Sequence, residues 1–198
     1  MKWLSGRCLC CAAHGLSCLI TTRTPSSQHT LLFDTGPDET IFERNVIRLG
    51  VDMGGVDAMM LSHGHWDHAG AMPRALQMMT LANGGRRVPT YMHPDMFASR
   101  AVKAQDGRLM PMEDIPSQHV LAANGADLII TRDEFPEFPK FVGDAVSSKD
   151  NDNVSVTYRL LTRSWCIVNG SSCFLGEPLL GYIFASSGDR TNVKAFSD

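Results

Sequence analysis

The chain has 198 residues, with 18 basic and 21 acidic side chains and a formal net charge of −3. That length supports one domain with a sizeable core, and the composition is that of an ordinary globular protein. The near-balanced charge gives no electrostatic case for nucleic acid or an anionic membrane as partner. No apolar run approaches the roughly 20 residues that span a bilayer, and the start, Met1 to Arg7, lacks a clean apolar signal-peptide core. The expectation is a cytoplasmic protein.

Leu16 to Thr22 reads as a strand, Thr24 to Ser27 as a turn, and Thr30 to Phe33 as a second strand, the two pairing as a hairpin. A helix follows. Thr40-x-x-Glu43 matches a capping box, Ile41, Phe42, Val46 and Leu49 share a face, and Gly50 sits where a left-handed cap belongs. Asp57 to Leu61 is a short apolar run suited to a strand buried on both faces. Ala69 to Leu81 predicts a helix with Met72, Ala75, Leu76 and Met79 inward, stopped by Asn83-Gly84-Gly85. Val88 to Met92 predicts a strand, His93-Pro94-Asp95 a helix start or turn, Val120 to Asn124 a short helix, and Asp127 to Thr131 a strand. Alternating strands and helices indicate an α/β layered domain. From about Asp133 the text becomes loop-like and polar. Val154 to Leu161 alternates as a strand, and 186–198 reads as a loose tail.

Four of the six cysteines (Cys8, Cys10, Cys11, Cys18) fall in the first eighteen residues. Their spacing is a poor zinc signature, which prefers C-x2-C followed by a second pair. They read as small apolar residues in or near a strand, reduced in the cytosol.

Chemistry concentrates in Ser62-His63-Gly64-His65-Trp66-Asp67-His68-Ala69-Gly70. Imidazole nitrogen and carboxylate oxygen are good ligands for zinc and similar divalent ions. In extended chain, residues two apart point the same way, so His63 and His65 can reach one ion. Asp67 and His68 lie just beyond and can serve a second. Gly64 allows tight backbone passage, and Ala69-Gly70 lets the next helix start close to the ions. The preceding strand gives the loop a rigid base at a sheet edge.

With the blocks His14-Gly15-Leu16-Ser17-x-Leu19-Ile20, Leu31-Leu32-Phe33-Asp34-Thr35-Gly36 and Val56-Asp57-x-x-x-Leu61 in order around it, this segment resembles the metallo-β-lactamase superfamily. Over residues 12–135 it is similar to the branch of dihydropterin-dependent ribofuranosyl-aminobenzene phosphate synthases. The resemblance implies a four-layer αββα sandwich with a one- or two-metal site. It implies His63 and His65 on the first ion, and Asp67 and His68 on the second. Zinc is the expected metal, with iron and manganese as alternatives, and the substrate a small molecule. It implies a hydrolase in which a metal-bound water loses its proton near neutral pH and attacks an electrophilic carbonyl or phosphoryl centre. Asp67 binds metal and orients that water or accepts its proton. Asp34 either orients a ligand or the metal loop, or is a turn aspartate before Thr35-Gly36.

The family takes further ligands from the second half of its fold, and here no histidine follows His119. His93 and His119 read better as a helix-start or surface histidine and a loop histidine. Asp144, Asp150 and Asp152 are carboxylate donors without supporting spacing. The expected organisation is therefore the first half of such a domain over 1–145 and a divergent or loose segment over 146–198, with Trp165, Phe174 and Tyr182 patching the surface. Two alternatives follow: a truncated or degenerate non-catalytic paralogue with a partial metal site, or a pterin-linked transferase of the same fold. A homodimer donating ligands across its interface would complete the site.

Overall fold

A computed structural model describes residues 6–23 and 25–132, and the backbone of strands within 155–173. The chain divides into two compact units, Met1–Arg163 and Ser164–Asp198. The boundary expected at 145, the carboxylates Asp144, Asp150 and Asp152, the tail 186–198 and Trp165, Phe174 and Tyr182 lie outside the described residues.

The first unit is built on a six-stranded mixed sheet. Its strands are β1 (Ser17–Arg23), β2 (Gln28–Phe33), β3 (Ala58–Met60), β4 (Val88–Met92), β7 (Ala126–Ile130) and β8 (Ser155–Thr162), in the order β7-β4-β3-β2-β1-β8. The hairpin is present: β1 pairs antiparallel with β2, with Cys18 opposite Phe33, and β8 pairs antiparallel with β1 on its other side. From β2 outward, β3, β4 and β7 run parallel. Parallel neighbours need crossovers, and helices supply them. These are α1 (Glu39–Leu49), the single turn α2 (Trp66–Ala69), α3 (Met72–Ala82) and α4 (Gln118–Ala123). This is the mixed α/β architecture expected. A small exposed hairpin, β5 (Ala101–Lys103) with β6 (Leu109–Pro111), was not anticipated. In the second unit β9 (Cys166–Val168) pairs antiparallel with β10 (Ser171–Cys173). Among the described residues no helix is long and apolar enough to cross a membrane.

Period-2 alternation divides the strand side chains between the two faces of the sheet. Leu19, Leu32, Met59, Val88 and Met92 join Phe42 and Val46 of α1 and Met72, Ala75, Leu76 and Met79 of α3 in one core. Cys18, Ile20, Leu31, Phe33 and Tyr91 are buried as well. The short strand β3, apolar at every position, is buried at Ala58 and Met59 and half-buried at Met60.

Three local expectations need correction. Asp38, not Thr40, caps α1: its Oδ1 accepts from the Ile41 amide at 2.8 Å, while Gly50 ends the helix at φ 60° as expected. The stretch 69–81 is not one helix. Pro73 has no N–H to give the Ala69 carbonyl, so α2 stops at Ala69 and α3 starts afresh at Met72 with proline in its first turn. His119 lies exposed on α4, capped by Ser117, rather than in a loop. Of the N-terminal cysteines, Cys18 is buried in β1, whereas Cys8 and Cys10 are exposed ahead of it.

Candidate metal centre

The site grows from two adjacent parallel strands that end side by side. Phe33, the last residue of β2, is opposite Met60, the last of β3. The chain leaves β2 at Asp34, whose amide donates to the Met60 carbonyl at 3.0 Å, and leaves β3 at Leu61 and Ser62. Asp34 and Ser62 thus meet at the carboxyl ends of the strands, where open α/β sheets place their sites. Asp34 takes φ 56°, the one non-glycine left-handed residue among those described. That conformation costs roughly 1–2 kcal/mol, and aspartate is among the few residues that adopt it locally. It turns the carboxylate back over the strand ends.

Asp34 is buried, and its carboxylate collects three donors. Oδ1 accepts from the Ser62 amide at 2.8 Å; Oδ2 accepts from Ser62 Oγ at 2.7 Å and pairs with His68 Nδ1 at 2.7 Å. Ser62 Oγ also sits 2.9 Å from His63 Nδ1. The hydroxyl has one proton, and the carboxylate takes it. His63 Nδ1 must then donate its own proton to the hydroxyl oxygen. His68 Nδ1 likewise donates to Asp34. When neutral, both imidazoles are held in the tautomer whose Nε2 carries the free lone pair. Asp34 thus both turns the chain ahead of Thr35-Gly36 and holds Ser62 and His68 by hydrogen bonds.

The rings of His63, His65 and His68 form a cluster. The centroids of His63 and His65 are 4.4 Å apart, edge to face, and those of His63 and His68 are 4.2 Å apart. His63 and His65 do not come together by extended chain. Residues 62–64 bend, and the His65 amide donates to the His63 carbonyl at 3.0 Å in a three-residue turn. His65 then caps α2, and Asp67 and His68 lie within that turn of helix, not in a loop before it. Asp67 Oδ2 is 3.7 Å from His68 Nε2. Among the described residues, no three His, Cys, Asp or Glu side chains already converge on a common point as an ion's ligands. The donors stand in pairs.

Burial, with the neighbouring His68 and His65, lowers the pKa of His63. Burial also acts to lower that of His68, but its hydrogen bond to Asp34 and the charges of Asp34 and Asp67 outweigh it and raise the value. The same cluster therefore holds one imidazole biased to neutrality and one biased to protonation.

Two clamps fix the loop from behind. The Thr35 amide and hydroxyl donate to the His68 carbonyl at 2.8 and 3.2 Å. The Arg100 guanidinium donates from one nitrogen to the carbonyls of Gly64, Met96 and Ala98, at 2.8, 2.9 and 2.7 Å. Gly64 is required there, since a Cβ would lie 2.0 Å from the Met96 carbonyl oxygen.

His93 is elsewhere engaged. Its Nδ1 accepts from the Asp95 amide at 3.2 Å and caps the short 3-10 helix Pro94–Phe97. His14 was not expected at the site, yet its Nε2 lies 3.2 Å from Asp67 Oδ2 and its ring 6.4 Å from that of Trp66. The sequence carried a signal for it in the pair His14-Gly15. Gly15 adopts φ 119°, and a Cβ there would lie 1.8 Å from the Asp67 carbonyl oxygen.

Comparison with known proteins adds to this geometry. Residues 16–77 match the family model of the metallo-beta-lactamase superfamily. The 7,8-dihydropterin-6-methyl-4-(beta-D-ribofuranosyl)-aminobenzene-5'-phosphate synthase of Methanocaldococcus jannaschii is 29% identical over 84 residues. That match covers 42% of this chain and 27% of the synthase, so the chain spans about a quarter of that relative's length. Among solved structures, MEM-A1, a subclass B3 metallo-beta-lactamase from a soil metagenome library, is similar at TM-score 0.34 and 20% identity, covering 61% of this chain and 41% of its own. A quorum-quenching N-acyl homoserine lactone lactonase is similar at TM-score 0.30 and 13% identity, covering 61% and 59%. The matched segment 16–77, which holds Asp34 and the whole histidine-rich loop, is thus similar to the metallo-β-lactamase superfamily.

Proposed function

We propose that the chain is a metal-dependent hydrolase acting on a small molecule, with His63, His65, Asp67 and His68 as metal ligands and Asp34 as the residue that orients them. The observation that carries this reading is the Asp34–Ser62 relay, which leaves Nε2 of both His63 and His68 with a free lone pair. A neutral imidazole held by a hydrogen bond on its other nitrogen is what a divalent ion needs from a histidine. The residues fit such an ion in donor type, three imidazoles and a carboxylate, with zinc the best match to that set and iron or manganese compatible.

A bound divalent cation supplies Lewis acidity and brings the pKa of a coordinated water toward neutrality. The chain's own residues do the rest. When neutral, His63 and His68 keep Nε2 as the free nitrogen, because Ser62 and Asp34 hold their Nδ1 protons. Asp67, side chain 12% exposed, has Oδ2 between His68 and His14, which supports a role in accepting a proton from water or binding the ion. Trp66, partly exposed beside it, offers an apolar wall to a substrate ring. The likeness to a pterin-handling synthase supports a small pterin- or phosphate-bearing molecule as substrate, and equally a transferase acting on one.

The test is hydrolysis of a panel of activated esters, lactones and phosphodiesters by the zinc-loaded chain. Turnover that disappears with a chelator and drops at least about 100-fold in Asp67→Asn supports the reading. A chain that binds zinc but turns over nothing in the panel supports a binding protein that keeps the site without the chemistry.

A further inference from the structure

We propose that His14 is a ligand of this metal site, the donor that joins Asp67 and His68 from the N-terminal side of the sheet. The inference rests on reading the histidine-rich loop as a metal centre, and it bears on which residues of this chain complete that centre.

Three observations converge on it. First, His14 Nε2 and His68 Nε2 stand 3.2 and 3.7 Å from the same oxygen, Asp67 Oδ2. Neighbouring donors on a tetrahedral zinc, with bonds of about 2.0–2.2 Å, lie about 3.3–3.5 Å apart. The two distances bracket the edge of that tetrahedron. Second, the approach is built into the backbone. Gly15 at φ 119° presses against the Asp67 peptide, where a Cβ would lie 1.8 Å from the carbonyl oxygen and 3.3 Å from Pro37 Cδ. Any other residue would push His14 away from Asp67. Third, the His14 side chain is 55% exposed, so it is free to turn about its own bonds and close the third edge toward His68. The contact spans 53 positions of sequence, from the lead-in to β1 to the helical turn α2, so it is not a by-product of local chain geometry.

A positioning role, in which His14 only hydrogen-bonds Asp67, is the competing account, and coordination separates the two. The experiment is a proton–cadmium correlation spectrum of the full chain loaded with cadmium-113, which shows the ring protons of each coordinated histidine. It is run alongside zinc affinity measured by chelator competition. In the wild-type chain His14 ring protons correlate with cadmium. In His14→Ala those correlations vanish while those of the other histidines remain, and zinc affinity falls on the order of 100-fold, at or beyond the loss seen for partners of ligands. His14→Asn, which keeps a hydrogen-bonding group beside Asp67, guards against a folding defect and gives the same loss of correlations. Identical histidine correlations in wild type and His14→Ala overturn the ligand role. So does an affinity loss in His14→Ala with no correlation lost, which assigns His14 to positioning. A wild-type chain that takes up neither cadmium nor zinc overturns the metal-centre reading itself, and the ligand role with it.

Discussion

The two sides of the histidine cluster are held differently. On the inner side, His63 and His68 are fixed through their Nδ1 atoms by Ser62 and the buried Asp34, with the Thr35 and Arg100 clamps behind the loop. On the outer side, among the described residues, His65 has backbone turns and the edge of the His63 ring, and His14 has Asp67 and the flank of Trp66. The inner pair is organised before any ligand arrives, so little rotamer freedom remains to be lost on binding. The outer pair keeps that freedom, roughly 1 kcal/mol per side chain on ordinary scales. The difference assigns preorganisation to the inner pair and adaptability to the outer one.

Removing the inner support is the strongest way to break this comparison. Asp34→Ala leaves the Ser62 amide and the Nδ1 proton of His68 without their acceptor. It is expected to destabilise the fold by about 3–5 kcal/mol, read as a lower urea midpoint. Asp34→Asn keeps an acceptor for the Ser62 amide and tolerates positive φ, so it stays folded. It is expected to lower zinc affinity about 10–100-fold. Unchanged zinc affinity in a folded Asp34→Asn would mean the relay does not orient the imidazoles.

Gly64→Ala comes next, because its Cβ meets the Met96 carbonyl oxygen and a backbone must shift. A loss of about 1–3 kcal/mol in thermal or urea unfolding is expected.

The pH dependence of zinc binding sharpens the contrast within the inner pair. A protonated imidazole has no lone pair for a metal, so affinity falls as pH falls. His68, raised by Asp34, protonates first as pH drops, and the decline begins above the ordinary histidine value of about 6.5. His63, lowered by burial, stays available to lower pH. Titrations of zinc affinity against pH should therefore show the onset moving down in Asp34→Asn, where the charge that raises His68 is gone. His93→Ala marks the smallest effect. It loses one cap on a short 3-10 helix, at most about 1 kcal/mol, and leaves zinc affinity unchanged.

These contrasts also explain what could be read from the chain alone. The clustering of His63, His65 and His68, with Asp67 beside His68, was legible because six consecutive residues carry them, and local spacing is visible in a sequence. The hairpin, α1 and β4 were legible for the same reason, since apolar periodicity and turn residues are local. Asp34 was ambiguous because its role depends on β2 and β3 ending side by side, a tertiary fact. The capping box at Thr40 was misread because Asp38, two residues earlier, offers a better acceptor, and short motifs do not reveal which acceptor wins. The uninterrupted helix over 69–81 failed at Pro73, a breaker that apolar periodicity outweighed in the reading. His14 was missed as a site residue because nothing near it in sequence is a ligand. Its one clue, the glycine that follows, acquires meaning only when the Asp67 carbonyl is found against it.

The most direct measurement of the central claim is the metal content of the purified, folded chain after exhaustive dialysis, compared with His63→Ala and His65→Ala. At least one equivalent of divalent metal retained by the wild type, and lost from both variants, is the predicted result. A folded wild-type chain that retains none contradicts the account.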